Sequence, residues 1–185
     1  MNKTVNSNSK ELLPIVKNTV VCDLDVKERI VCVNAVSEVK STEALNKELR
    51  ISLVTSFRVV TCGEDGEYEL TVRRAESVAS VTDENLSPAI KSVVCVNVAD
   101  CSYVEKEGGR ATAELEITGW YLKTNELNFL TEPKESVFCR TGKYDIENVA
   151  SVEEYSVTLT NSNEARLPIK KILDCSTVVV VNNVY

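Results

Sequence analysis

Cysteine is the residue type in this sequence that offers the most chemistry. Seven cysteines occur, and no two of them are separated by only two residues. The sequence therefore contains neither a thioredoxin-type redox motif nor a paired zinc knuckle. Two interpretations remain open, which are buried thiols in a reduced protein and thiols oxidised to disulfides. An odd count, if oxidised, leaves at least one thiol free or paired between chains.

The positions of the cysteines divide them into three groups. Cys22 and Cys175 lie towards the two ends of the chain and are candidates for intermolecular bonds. Cys32 and Cys95 lie inside valine-rich runs, where a small buried apolar role is favoured. The remaining three are further candidates for disulfides: Cys62, Cys101 and Cys139.

Histidine is absent from the sequence. This absence removes the commonest general base and the commonest metal ligand, so His-based catalytic triads and Cys2His2 zinc sites are excluded. A carboxylate pair, or a lysine acting on a serine, remains chemically feasible, but no spacing singles one out. The sequence therefore predicts a protein that is not an enzyme and that holds no cofactor and no metal.

Charge and hydropathy exclude further classes of function. The net charge of −7 argues against a nucleic-acid partner, whose recognition requires a concentrated positive surface. No apolar run is long enough to span a membrane. The segment Met1–Lys10 has no apolar centre, so we expect no signal peptide and synthesis in the cytoplasm. Residues 1–12 are predicted to form a flexible N-terminal arm.

The elements that position these residues are predicted to be strands. Leu49–Leu53 and Ala113–Ile117 alternate apolar and polar residues at the period of two that is typical of half-buried antiparallel strands. The turn residues Gly63–Gly66 predict a hairpin between the strands that flank them. Only Ser41–Leu49 carries helix formers, and it is too short to be stable without packing. The predicted fold class is all-β, an antiparallel β-sandwich.

Short segments recur along the chain. Ile30–Val36 returns as Val93–Ala99. Proline also opens three extended segments, at Pro14, Pro88 and Pro168, each followed by a cysteine after seven or eight residues. These recurrences favour an internal duplication that gives two packed β modules, while chance similarity of valine-rich strands remains the alternative. We predict a core over residues 13–130 and C-terminal strands over residues 131–185, which complete the core or a neighbouring subunit.

A continuous β-branched run near the C-terminal end favours assembly. Such a run is either a central strand of its own sheet or a strand that completes the sheet of a neighbour. Left exposed, it would promote aggregation. The candidate residues for strand exchange are Val178, Val179, Val180 and Val181, and the N-terminal arm is the alternative donor.

Pro168–Leu173 and the segment from Val96 to Leu122 resemble the SPOCS domain of bacterial spore-coat and spore-morphogenesis proteins. The family opens with a Pro-Ile-x-x-Ile-Leu segment, and Asp100–Tyr103 is similar to its turn with an Asp and an aromatic residue. The resemblance implies a structural role in the spore envelope, through binding other coat proteins. The many cysteines, and the lack of a peptidoglycan-binding LysM pattern, depart from the family and favour a surface or appendage component.

Two classes of function follow from the sequence. The first is a self-assembling subunit of a spore coat, spore appendage or similar fibre, joined by strand complementation and intermolecular disulfides, with copies of itself as partner. The second is a non-polymerising adaptor that binds another spore-coat or envelope protein through a sheet edge. Both place the protein at the spore surface, where thiols reduced in the mother cell oxidise once that cell lyses.

Overall fold

The computed structural model describes residues 2–105, 108–130, 156–158, 160, 162, 169, 171–173 and 175. Seven strands make up most of the described residues, which contain no α-helix. The strands are β1 (Asn2–Leu12), β2 (Val16–Asp23), β3 (Arg29–Leu45), β4 (Glu48–Cys62), β5 (Tyr68–Thr82), β6 (Ser92–Val104) and β7 (Arg110–Leu130). No helix in this part of the chain is long and apolar enough to cross a membrane.

The strands form two antiparallel sheets, consistent with a β-sandwich, and the predicted all-β fold class is confirmed. In one sheet, β3, β4 and β5 follow each other as a meander. In the other sheet, β7 is the central strand, with β6 on one side and both β1 and β2 on the other. At the corners of the sandwich β6 lies close to β3, and β2 lies close to β5. There the Asn18 amide nitrogen donates a hydrogen bond of 3.1 Å to the Ser77 hydroxyl.

Alternation along β4 and β7 builds the core. Every second side chain of β4, from Leu49 to Thr61, is buried, and the intervening side chains are half-buried or exposed. The buried row of β7 consists of Ala111, Ala113, Leu115, Ile117 and Tyr121. The row begins with two alanines and continues with larger side chains, all of them in the hydrophobic core.

The predicted hairpin is present, and a second hairpin joins β6 to β7. Cys62 pairs with Tyr68 across the turn at residues 63–67, and Val104 pairs with Arg110 across the turn that contains Gly108 and Gly109. The segment Ser41–Leu49, with its helix formers, is strand in its first half and then turns at Asn46 and Lys47 into β4. Cross-strand pairing along β4 therefore overrides the local helix propensity of this segment.

The recurring segments occupy matching places in the two sheets. Ile30–Val36 lies in β3, which pairs with β4, and Val93–Ala99 lies in β6, which pairs with β7. One copy of the recurring segment therefore lies in each sheet. Residues 2–12, predicted to be a flexible arm, form β1. The C-terminal part predicted over residues 131–185 lies almost entirely outside the described residues, as do Val178 to Val181.

Candidate assembly surface

Strand β1 is held to the molecule by its ladder with β7 and by polar side chains. All eleven residues from Asn2 to Leu12 pair with β7, from Leu130 back to Trp120. Three side-chain hydrogen bonds accompany this ladder. The Thr4 hydroxyl donates to Asn128 at 2.7 Å, the Thr124 hydroxyl to Asn8 at 3.0 Å, and the Asn125 amide to Ser9 at 2.9 Å. The pattern of Asn, Ser and Thr in this segment therefore serves strand pairing.

Burial contributes little to the attachment of β1. Of residues 4–12, only Ser7 is buried, at 8% exposure, and Leu12 is 76% exposed. None of these residues belongs to the hydrophobic core cluster. By contrast, β2 contributes Val20 at 3% exposure, and Leu24 directly after it is fully buried. The N-terminal strand is thus an addition to a sheet edge, whereas the next strand is part of the core.

The link between β1 and β2 is short and mostly exposed. The Leu13 amide donates a hydrogen bond of 2.9 Å to the Gly119 carbonyl, and the Leu13 side chain is buried. Ile15, two residues later, is 65% exposed. Separation of β1 from the sandwich would therefore occur on the N-terminal side of Leu13, which stays anchored in the core.

The half of β7 that pairs with β1 extends beyond the rest of its sheet. Strand β6 ends its pairing where Ser92 lies opposite Tyr121, and the last bond on that side runs from the Leu122 amide to the Lys91 carbonyl at 2.9 Å. From Lys123 to Leu130, no strand other than β1 pairs with β7 in the described part of the chain. No other described strand covers the outer edges of this two-stranded extension, and further strands add to edges of this kind.

Two contacts fix the boundary between the extension and the sandwich. The Lys10 ammonium lies 4.9 Å from the centre of the Trp120 ring, a cation–π contact. The Tyr121 hydroxyl donates a hydrogen bond of 3.1 Å to Asp83. Burial, together with this bond, raises the pKa of Tyr121. The backbone amide of Asn85 donates a hydrogen bond of 2.8 Å to the other carboxylate oxygen of Asp83. This bond is the main cause of the lowered pKa of the Asp83 carboxyl.

The prediction that Cys32 and Cys95 are buried is wrong, since both are exposed. In β3 the register shifts between Ile30 and Cys32, which turns the Cys32 side chain outward. In β6 the half-buried row is Val94, Val96 and Val98, so Cys95 points to the other face. Among the described strands both lie at sheet edges, and neither thiol is bonded to another described cysteine.

The other described cysteines differ in accessibility. Cys22 and Cys101 are half-buried against the core, and burial is the largest cause of the raised pKa of each thiol. A neighbouring aspartate, Asp23 or Asp100, adds to the shift in each case. Because the thiolate is the reactive form, these two cysteines are less suited to cross-linking than exposed ones. Cys62 is half-buried and Cys175 is exposed, whereas Cys139 lies outside the described residues.

An open groove of about 810 Å³ lies between the β2–β3 connection and the turn after β4. Lysine and arginine at positions 27 and 29 and several acidic residues from Glu64 to Glu69 line it. In the part of the chain that the structure describes, no group of three or more Cys, Asp or Glu side chains is placed to hold a metal ion.

The sequence predicted an arm over β1 and did not identify the pairing of its polar residues with β7. The alternation of Thr4, Asn6 and Asn8 with Val5, Ser7 and Ser9 has the period of a strand, but its low hydrophobicity favoured a flexible arm. Comparison with protein-family models, with curated protein sequences and with solved structures found no match to this chain.

Proposed function

We propose that this protein is a non-enzymatic structural subunit that assembles with copies of itself by strand complementation, reinforced by disulfides between copies. The observation that carries the proposal is the attachment of β1. This strand is held by an eleven-residue ladder and polar contacts, with no side chain of residues 4–12 in the core. Such a strand forms the same contacts on the β7 of a neighbour as on its own.

Exchange of β1 between copies requires little change in the sandwich. The ladder and the bonds of Thr4, Asn8 and Ser9 form equally well between two chains, so the main cost is the entropy of association. Leu13 and β2 remain in their own core and act as the fixed end of the exchanged arm. If each copy donates to the next, the contact is head-to-tail, and it produces a filament unless the rotation closes a ring.

Exposed thiols supply the second element of the proposal. Cys32 and Cys95 lie at sheet edges, where a neighbouring subunit would approach, and Cys175 is also exposed. Disulfides between copies would lock an assembly that strand exchange first brings together. Cys22 remains a cross-link candidate of lower reactivity because its thiol pKa is raised.

The context of the proposal comes from the SPOCS resemblance. A spore coat or spore appendage is assembled from proteins made in the mother cell, and the thiols oxidise after lysis. Within this proposal the protein lies at the spore surface, with other coat or envelope proteins as its further partners.

The second candidate function is a non-polymerising adaptor. The observation that favours it is the edge of β7 from Lys123 to Leu130 that faces away from β1, which no other described strand covers. A strand from another envelope protein could add to this edge while β1 stays in place.

The test is the size of the purified full chain by light scattering and electron microscopy, with and without reductant. We expect filaments or large oligomers that weaken on reduction. The matched control is Cys32→Ser/Cys95→Ser, which we expect to assemble but to dissociate in detergent without reductant. A monodisperse monomer under all conditions would overturn self-assembly and leave the adaptor function.

A further inference from the structure

The sequence of β1 and the link after it occurs again near the C-terminal end, at a constant offset and without gaps. Thr4-Val5 corresponds to Thr158-Leu159, and Leu13-Pro14-Ile15 corresponds to Leu167-Pro168-Ile169. Between them, the Asn and Ser residues 6–9 correspond to the equally polar Thr160–Asn163. Both segments carry one basic and one acidic residue before the shared leucine. The second segment therefore has the alternation and polarity that β1 uses on β7.

The residues at the contact positions are chemically suited to the same register. Leu159 replaces Val5 and Thr158 replaces Thr4, whose hydroxyl bonds Asn128 in β1. At the positions of Asn8 and Ser9, which accept from Thr124 and Asn125, the second segment has a serine and an asparagine. Each of these side chains has an oxygen that can accept the same hydrogen bond.

Within one chain, the described part of this second segment is largely exposed. Val157 is 74% exposed and Ile169 is 60% exposed. Ser162, which corresponds to half-buried Asn8, is exposed as well. After it, the Lys171 ammonium donates a hydrogen bond of 3.2 Å to the carbonyl of Tyr68, the first residue of β5. The described residues of the segment, Thr158, Thr160 and Ser162, are thus all exposed within their own chain.

We infer that residues 158–167 of one copy are a second strand donor, which takes the β1 position on β7 of another copy. The inference rests on the proposed function and adds a second donor, which takes the same acceptor position on β7 as an exchanged β1. The exchange ends at Leu167, because the next position on β7 belongs to β2, which the buried residues Val20 and Leu24 anchor. The β1 strand of the acceptor chain competes for the same position and so limits assembly.

The experiment is disulfide trapping in the full chain. Ser7 lies opposite Asn125, and Asn161 corresponds to Ser7, so Asn161→Cys/Asn125→Cys should form a cross-link in the inferred register. Light and ¹⁵N-labelled protein are mixed in equal amounts before oxidation, and the linked peptides are identified by mass spectrometry. Peptide mapping separates the engineered link from bonds of the natural cysteines. We expect mixed light–heavy links as abundant as unmixed ones, since the link joins two chains.

Two controls accompany this variant. Ser7→Cys/Asn125→Cys reports β1 in the same position. Ser162→Cys/Asn125→Cys places the two thiols on opposite faces of the strand pair, and we expect at least tenfold less cross-link from it. Ser7→Lys, introduced into the trapping variant, disfavours β1 by adding a charge at a buried position, and we expect it to increase the intermolecular link. Circular dichroism of each variant verifies that the sandwich is folded.

The outcomes separate the inference from the proposed function. Filaments without the Asn161–Asn125 link would overturn the donor assignment while leaving self-assembly intact. A link formed only within single chains would also overturn it. Intermolecular links in the expected register would support it, and absence of any assembly would overturn the proposed function itself.

Discussion

Strands β1 and β2 lie one after the other along the same edge of β7, but different forces hold them. Both pair antiparallel with β7 over their whole length. β2 and the residue after it place Val20 and Leu24 in the core, whereas residues 4–12 place no side chain there. A fully buried aliphatic side chain contributes about 1.5–3 kcal/mol. A hydrogen bond contributes about 0.5–1.5 kcal/mol net.

This difference shows that a strand can pair with a sheet along its whole length without placing side chains in the hydrophobic core. β2 cannot leave without opening the core between the two sheets. In the proposed function, β1 leaves at the cost of a ladder that a neighbouring copy restores. Within that proposal β1 is the exchangeable strand, and β2 is the strand that keeps each subunit folded.

The largest expected effect is at the end of β2. Leu24→Ala removes a fully buried side chain, and we expect it to lower the free energy of unfolding by about 2–5 kcal/mol. The matched change in β1, Val5→Ala, should lower it by less than about 1 kcal/mol because Val5 is only half-buried. Urea unfolding followed by circular dichroism measures both. Equal losses in the two variants would contradict the comparison.

The next largest loss of stability is expected at Gly119 on β7, whose carbonyl accepts the hydrogen bond of the Leu13 amide between β1 and β2. A Cβ atom at this position would overlap the carbonyl oxygen of Val93 on β6 and would press on Leu13. We expect Gly119→Ala to destabilise the fold by about 1–3 kcal/mol, since the backbones of β6 and β7 must move apart. Gly63→Ala is the control, because there a Cβ meets only the flexible end of Asp65. Thermal unfolding of both variants should show a clear loss for Gly119→Ala alone.

A smaller effect should depend on pH. The pKa of Asp83 is lowered in the folded protein, chiefly by the Asn85 amide, with Tyr121 contributing. Its stabilising contribution is therefore present above the unfolded pKa of about 3.9 and is lost as pH falls through the folded value. We expect Asp83→Asn to be less stable than the unaltered protein at pH 7, with the difference shrinking below about pH 4. A difference that is constant from pH 7 to pH 2.5 would exclude this role for Asp83.

The smallest changes in the free energy of global unfolding are expected from two separate asparagines, one in β1 and one in β2. Asn8 in β1 accepts a bond from Thr124, and Asn18 in β2 donates to Ser77 across the corner of the sandwich. We expect Asn18→Ala to lower global stability by about 1 kcal/mol. Asn8→Ala should leave global stability nearly unchanged and accelerate hydrogen exchange in β1 alone. Unaltered exchange in β1 after Asn8→Ala would show that its polar contacts do not hold this strand.

The sequence predicted those elements whose two faces differ. The alternation of Leu49–Leu53 and Ala113–Ile117, and the turn at Gly63–Gly66, identified the strands and a hairpin that form the centre of the sandwich. The fold class followed from them. These segments have one apolar and one polar row, so their period of two is visible in a single sequence.

In segments whose two faces have similar polarity, the sequence did not show which face is buried. Around Cys32 and Cys95 both faces carry apolar residues, so alternation could not show which face was buried. The register shift between Ile30 and Cys32 depends on the pairing with β4 and leaves no local signal. In β1 both faces are polar, and the sequence could not distinguish a paired edge strand from a flexible arm.

The most direct test of the central claim is native-state hydrogen exchange of the full chain under non-assembling conditions. We expect the amides of residues 4–12 to exchange through a local opening, at least tenfold faster than those of β2 and β4 and at a rate independent of global stability. Residues 123–130 of β7 should exchange with them. Equal protection of β1 and β2, with both changing together when Leu24→Ala lowers global stability, would show that β1 is an integral part of the core and would contradict the account.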